Sequence, residues 1–325
     1  MLSFVAKRLL QGALVIVAMS VIVFLGVYAI GDPIDMLVPE TATELEIQMA
    51  RQRLGLDQPL LVQYGRFALQ ALQGDIGTSF VFNQPTLQLI LSKFPATLEL
   101  AVTAMAVAII VGLPLGVLAG LKPDSWYGRA IMSISVIGFS LPGFWFGLLL
   151  IMVFAVNLGL LPANGRGETV SVFGVELAIF TWDGFKHVIL PATNLALFKL
   201  ALVIRLARAG TREAMLQDYM RFAYAKGMGH WYAVRVHLIP NILIPIITVI
   251  GMEFGSVIAF AAVTESIYAW PGMGRLLIES INNLDRPVVV AYLMFAAVLF
   301  VVINLIVDIL YATLDPRVRF TKSSS

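Results

Sequence analysis

The chain has no cysteine among its 325 residues. Disulfides, thiolate metal sites, iron–sulfur clusters and a cysteine nucleophile are therefore excluded. Charge is also scarce. Asp, Glu, Lys and Arg make up 13% of the chain, against about 25% in an average soluble protein. The 22 basic and 20 acidic residues leave a net charge of +2, too little basic excess to suggest a nucleic-acid partner. None of the seven lysines follows a glycine. A Walker A loop needs that Gly-Lys step, so the chain is not expected to bind ATP itself. His187, His230 and His237 do not form H-E-x-x-H, and no G-x-S-x-G elbow is present. No catalytic, cofactor-binding or metal-ligating set is expected, and the chain does not read as an enzyme.

Apolar residues are abundant instead. They make up 59% of the chain, and the mean hydropathy is +0.88. A soluble fold of this size cannot hide so much apolar surface in one core. A bilayer core of about 30 Å needs roughly 20 apolar helical residues. Leu9–Gly31, Leu100–Leu121, Ala130–Gly165 and Pro287–Val307 are charge-free and long enough. The first follows Lys7-Arg8 but is longer than a signal-peptide core and lacks an A-x-A cleavage site, so it reads as a retained span. His187–Leu206 is interrupted by Lys199 and Arg205, and Val236–Thr264 by Glu253.

Charge asymmetry decides whether these two cross. With six spans and a cytoplasmic N-terminus, the inside pieces carry 13 Lys and Arg against four acids, and the outside pieces eight against 13. The sequence therefore predicts an all-α polytopic membrane protein, one domain over 1–325, with both termini cytoplasmic. The six transmembrane helices fall roughly at 9–31, 97–121, 130–157, 187–208, 237–263 and 287–312. A long outside segment covers 32–94, with an amphipathic helix expected over Thr43–Leu54 and turns at Asp57–Pro59 and Gly74–Gly77. A basic cytoplasmic loop covers 209–235.

That loop reads Asp218-Tyr-Met-Arg-Phe-Ala-Tyr-Ala-Lys-Gly-Met-Gly, with Pro240 beyond it. A short helix, a break at Gly227–Gly229 and a second helix ending at Pro240 are expected. The result is either a knob that docks a cytoplasmic partner or a basic loop lying on lipid.

Ala223-Tyr-Ala-Lys-Gly227 followed by Pro240 resembles the EAA loop of ABC importer permeases of the dipeptide/oligopeptide family. Further strings match in order: Lys7-Arg-Leu-Leu, Gly31-Asp-Pro33, Leu54-Gly-Leu-Asp-Gln-Pro59, Gly74-Asp-Ile-Gly-Thr-Ser79, Pro95-Ala-Thr-Leu-Glu-Leu100, Leu161-Pro-Ala163, Glu265-Ser-Ile-Tyr-Ala-Trp-Pro-Gly-Met-Gly274 and Leu314-Asp-Pro-Arg317. The chain departs from the broad EAA pattern at Arg221, Phe222 and Tyr224; Arg at the first of these is common in the peptide subfamily. The resemblance implies a permease subunit that carries di- or oligopeptides across the bacterial inner membrane. Its implied partners are a second homologous permease, two cytoplasmic ATPase subunits that hold ATP and Mg, a periplasmic or lipid-anchored binding protein, and membrane lipid. It assigns Arg221, Ala223, Ala225, Lys226, Gly227 and Pro240 to the ATPase-coupling loop. Another small cargo, such as a nickel chelate or glutathione, or a secondary transporter, are the rival readings.

Other features stay open from sequence alone. Gly112, Gly116 and Gly120 are spaced by four, as are Gly143 and Gly147 and Gly251 and Gly255. Such stripes allow close helix approach, either within the chain or against a sliding partner. Lys199 and Glu253 fall at similar membrane depth and either pair or line a wet pathway. Glu99 and Asp308 sit near span ends, within reach of the interface or water. Glu265, Trp270, Pro271 and Gly272 mark an outside turn that suits a gate, a binding-protein contact or plain aromatic anchoring at the membrane surface.

Overall fold

A computed structural model describes residues 2–29, 43–54 and 57–314. The matching strings at Gly31–Pro33 and Asp315–Arg317, and part of the one at 54–59, lie outside those residues. The described parts form two compact units: Met1–Lys93 with Leu276–Val302, and Phe94–Arg275 with Ile303–Ser325.

The first unit contains α1 (Leu2–Ala29), α2 (Glu44–Leu54) and α3 (Leu60–Leu72). The amphipathic helix expected over Thr43–Leu54 is α2. Its start is fixed by a reciprocal cap: the Thr43 amide donates to Glu46 at 2.8 Å, and the Glu46 amide donates to the Thr43 hydroxyl at 3.4 Å. Val23, Val290 and Met294 form this unit's core, with Ile16, Met19, Phe67 and Ile76 packed on it. Tyr64 joins α3 to α1 through Ser20 at 2.8 Å and by an edge contact with Phe24. Gly74 and Gly77 make their turns with φ of +81° and +97°, backbone that glycine adopts without strain.

Asp285 organises the turn that follows. Its side chain is fully buried. It accepts from Ser79 Oγ at 2.5 Å, from the Phe80 amide at 3.1 Å and from the Val81 amide at 3.3 Å. Its own backbone carbonyl accepts from the Val289 amide at 3.2 Å, at the start of the last long helix.

That helix, running from Arg286 to Leu314, belongs to a set that carries the chain through both units. In order these are α4 (Thr86–Leu121), α5 (Trp126–Ser140), α6 (Gly143–Leu150), α7 (Trp182–Met215), α8 (Asp218–Ala225), α9 (His230–Ala233), α10 (Ile239–Ile267), α11 (Met273–Asn282) and α12 (Arg286–Leu314). A π-helical stretch, Ile151–Asn157, extends α6, and another, Val234–Leu238, joins α9 to α10. A two-stranded hairpin, β1 (Val170–Val172) and β2 (Val175–Leu177), turns at Phe173 and Gly174, both at positive φ.

Among the described residues, five helices are long and apolar enough to cross a membrane: Ala6–Gly26, Thr86–Leu121, Trp182–Met215, His230–Ile267 and Arg286–Ile309. A sixth follows if the pair Trp126–Ser140 and Gly143–Asn157 counts as one span. The pair is bent by 108°, so the third hydrophobic run is not the continuous helix expected over 130–157. Pro142 is the cause. A proline disfavours the helical region for its predecessor, and Leu141 is extended, with φ −77° and ψ 135°.

In the second unit α7 is central, and α5, α6 and α10 pack on it. The glycine stripe of α4 meets the same helix. A Cβ at Gly112 would stand 3.0 Å from Val203, one at Gly116 2.6 Å from Ala207, and one at Gly120 2.6 Å from Thr211. These glycines therefore serve packing within the chain. Gly147 abuts Asn194 of α7 in the same way.

Candidate functional site

The residues expected to form the coupling loop lie in a helix–turn–helix, α8 and α9 joined through Gly227. Met220 and Ala223 of α8 are buried and seat it, as are Ala233 and Val234 beyond the turn. The opposite face is exposed and strongly aromatic: Phe222, Trp231 and Tyr232 are each about 60% accessible or more. Arg221 is exposed and lies 3.8 Å from Asp218. Ala225 and Lys226 are exposed too, and the Lys226 ammonium covers the Phe222 ring at 4.5 Å. Tyr224, at the position where the family more often has Arg, stacks on His230 and shares a 3.0 Å hydrogen bond with it. Burial, and the Glu213 carboxylate after it, push the Tyr219 hydroxyl above its ordinary pKa.

Gly227 ends α8 at φ +76°. Its amide donates to Tyr224 O at 2.9 Å, and the Met228 amide donates to Ala223 O at 3.2 Å. This is the Schellman pattern, which places glycine at the left-handed position. Nothing lies within 4 Å of a Cβ built there. Backbone conformation rather than crowding therefore requires the glycine.

Pro240 does not end the second helix, as the sequence had suggested. A continuous helix runs His230–Ile267. Pro240 falls in the first turn of α10, just after the π-helical stretch. There the wider turn has already broken the regular ladder, and Asn241 Nδ2 donates to His237 O at 2.6 Å.

Lys199 and Glu253 are brought together across α7 and α10. Lys199 Nζ donates to Glu253 Oε2 and, at 2.7 Å, to Ser256 Oγ. Ser256, one turn beyond Glu253, was not singled out from the sequence. Beside Lys199 opens a cavity of about 540 Å³ between α5, α6, α7 and α10.

Glu265, Trp270, Pro271 and Gly272 lie in a fastened turn. Glu265 is fully buried. It accepts from Thr97 Oγ1 at 2.6 Å and from the Arg275 amide at 2.9 Å. The Met273 amide donates to the same Thr97 hydroxyl at 2.8 Å. Trp270 is also fully buried, and its indole donates to Ala96 O at 2.9 Å, so it is not an aromatic anchor at a membrane surface. Gly272 has no room for a Cβ against the Glu265 carboxylate.

Glu99 does not reach water either. Its side chain is 2% exposed. It accepts two hydrogen bonds from Arg166, at 2.6 and 3.0 Å, and two from the Ala178 and Ile179 amides, at 2.6 and 2.9 Å. The segment between α6 and α7 folds back over this helix end. Span counting could not see that closure. Thr97 and Glu99 both stand in the Pro95–Leu100 string, where the signal for both clusters lay.

These features define the class: a polytopic helical membrane protein with a broken hydrophobic helix pair and an exposed aromatic helix–turn–helix. The chain belongs to the family of binding-protein-dependent transport system inner membrane components. That family's model matches residues 112–320, and the model of its N-terminal component matches residues 1–101. Two full-length relatives are the dipeptide transport system permease protein DppB of Alkalihalophilus pseudofirmus and the glutathione transport system permease protein GsiC of Escherichia coli K12. They are 36% and 38% identical to this chain, over 98% of it and 100% of each relative. The fold is similar to a chain of the MetNI methionine ABC transporter, with a TM-score of 0.56 and 16% identity over 71% of this chain and 98% of that one. The protein is a permease subunit of the inner membrane.

Proposed function

We propose that this permease carries di- or oligopeptides, delivered by an external binding protein, as one half of a permease pair driven by two separate ATPase subunits. The full-length similarity to both a dipeptide and a glutathione permease carries the reading, because both cargoes are short peptides. ATP and Mg belong to the partner subunits on this view; the lack of any Gly-Lys step agrees with that division. The knob built from Arg221, Ala223, Ala225, Lys226 and Gly227 is the surface offered to an ATPase, and its exposed aromatic face suits a protein partner. Loop 209–235 and both termini then lie in the cytoplasm, and 32–94 outside. Glutathione is the second reading, favoured by the 38% identical relative. Purification of the tagged chain from native membranes tests the assembly. ATPase and second-permease subunits should come down with it, and transport of radiolabelled peptide by the reconstituted complex should require ATP. A chain that purifies alone, or that moves peptide without ATP, overturns the proposal.

A further inference from the structure

We propose that the cavity beside Lys199 is a substrate subsite of this chain, which takes the C-terminal residue of a short peptide and favours an apolar side chain there. The inference rests on the peptide reading above. The cavity of about 540 Å³ lies within the range of small-ligand pockets. Its walls are mostly apolar, with Phe139, Phe144, Phe198 and Phe260 contributed by four helices. Three polar residues interrupt them: Lys199, Asn194 and Thr264. Lys199 stands at the wall with two of its three N–H groups spent on Glu253 and Ser256, which leaves one for a carboxylate. Asn194 also lines the cavity and is 3% exposed. Its Nδ2 donates to Thr264 Oγ1 at 3.1 Å. Its Oδ1 is buried with no hydrogen-bond partner.

A buried acceptor without a donor is costly; a small turn of the Asn194 amide that opens Oδ1 to the cavity lets a ligand N–H satisfy it. A peptide's last residue supplies all three complements: an amide N–H for Asn194, a carboxylate for Lys199 and a side chain for the phenylalanines. Glu253 and Ser256 are positioning residues in this scheme. They hold the ammonium in place and keep the empty site electrically neutral. A lipid tail would fill the apolar volume but would leave Asn194 Oδ1 unpaired.

The test compares uptake by the complete transporter in proteoliposomes, always with the same binding protein. Any change of preference between wild type and variant then belongs to this chain. The peptides are Ala-Phe, Ala-Ala and Ala-Phe-amide. Val263→Phe narrows the cavity from a half-exposed position, and Phe260→Ala widens it from an exposed one. The first should lower Ala-Phe uptake relative to Ala-Ala by about tenfold, the scale at which apolar pockets discriminate by size. The second should move the ratio the other way. The double change Lys199→Met with Glu253→Gln removes the carboxylate partner without stranding its counter-charge. It should lower the preference for Ala-Phe over its amide by at least about tenfold. Unchanged ratios in the variants, with wild-type uptake of Ala-Phe intact, overturn the subsite alone. An assembled wild-type complex that takes up none of the peptides overturns the peptide reading and the subsite together.

Discussion

Replacing Gly227 by asparagine, alanine and valine isolates what the turn after α8 demands. The glycine has φ +76° with open space where a side chain would go. A larger residue therefore meets no clash, and only backbone strain distinguishes the three variants. A left-handed residue with a Cβ costs roughly 1–2 kcal/mol, and asparagine is the residue most tolerant of it. Valine, branched at Cβ, belongs at the upper end of the roughly 1–3 kcal/mol known for strained backbone. The two hydrogen bonds that close the turn, from Gly227 to Tyr224 and from Met228 to Ala223, are what this strain opposes. Each contributes about 1 kcal/mol net, so valine is expected to open the turn and asparagine to keep it. Membrane insertion should be equal in all three, since the position lies outside every long apolar helix. ATP-driven uptake should fall in the order asparagine, alanine, valine, while ATP hydrolysis by the complex continues uncoupled. Normal uptake by Gly227→Val refutes both the backbone argument and the coupling role; equal loss with asparagine and valine refutes the backbone argument.

Three further outcomes are expected. Lys199→Met or Glu253→Gln alone strands a charge that costs at least about 2.5–3.5 kcal/mol at mid-membrane. Assembled yield should therefore drop more in either single variant than in the double, and a double variant as poor as the summed singles excludes an energetic pair. An impermeant thiol reagent applied to intact cells should label Gln58→Cys and spare Gln217→Cys. Both positions are exposed, so the opposite pattern would overturn the proposed topology. Asp285→Ala removes the acceptor of one hydroxyl and two amides. At about 1.5 kcal/mol or more for each charged hydrogen bond, protease cutting near residues 79–82 should rise sharply, and unaltered protection would show that another contact holds the turn.

Hydrophobic run length and the order of short strings made the membrane class, the family and the outline of the helices legible in the sequence. So was the glycine turn at 227, because a basic amphipathic helix ending in Lys-Gly has few other ways to stop. What escaped depends on partners far apart in the chain. Glu99 looked able to reach the interface or water because it lies near a span end, yet Arg166 and two amides some 70–80 residues away enclose it. Pro240 looked terminal because local rules give proline that weight; the preceding π-helical stretch is a backbone feature without a side-chain signature. Leu141-Pro142 carried a break signal outweighed by the unbroken apolar run around it. Asn194 was one polar residue in a long apolar segment, and its unpaired oxygen becomes visible only once α10 lies beside it.

The close fit of α4 against α7 has a mechanical consequence. At about 1.5 Å per residue, the 34 residues of α7 form a rod about 50 Å long. Over three successive turns its side chains lie against glycines with no space to yield. Two rods keyed together in this way bend far less readily than either alone. They act as a girder, with the aromatic knob attached to one end through Leu216 and Gln217. A force applied to the knob arrives along the girder with little lost to flexing. On the coupling role proposed above, bending is expected instead at the discontinuities: the elbow at Leu141–Pro142, the turn at Gly227 and the π-helical stretches.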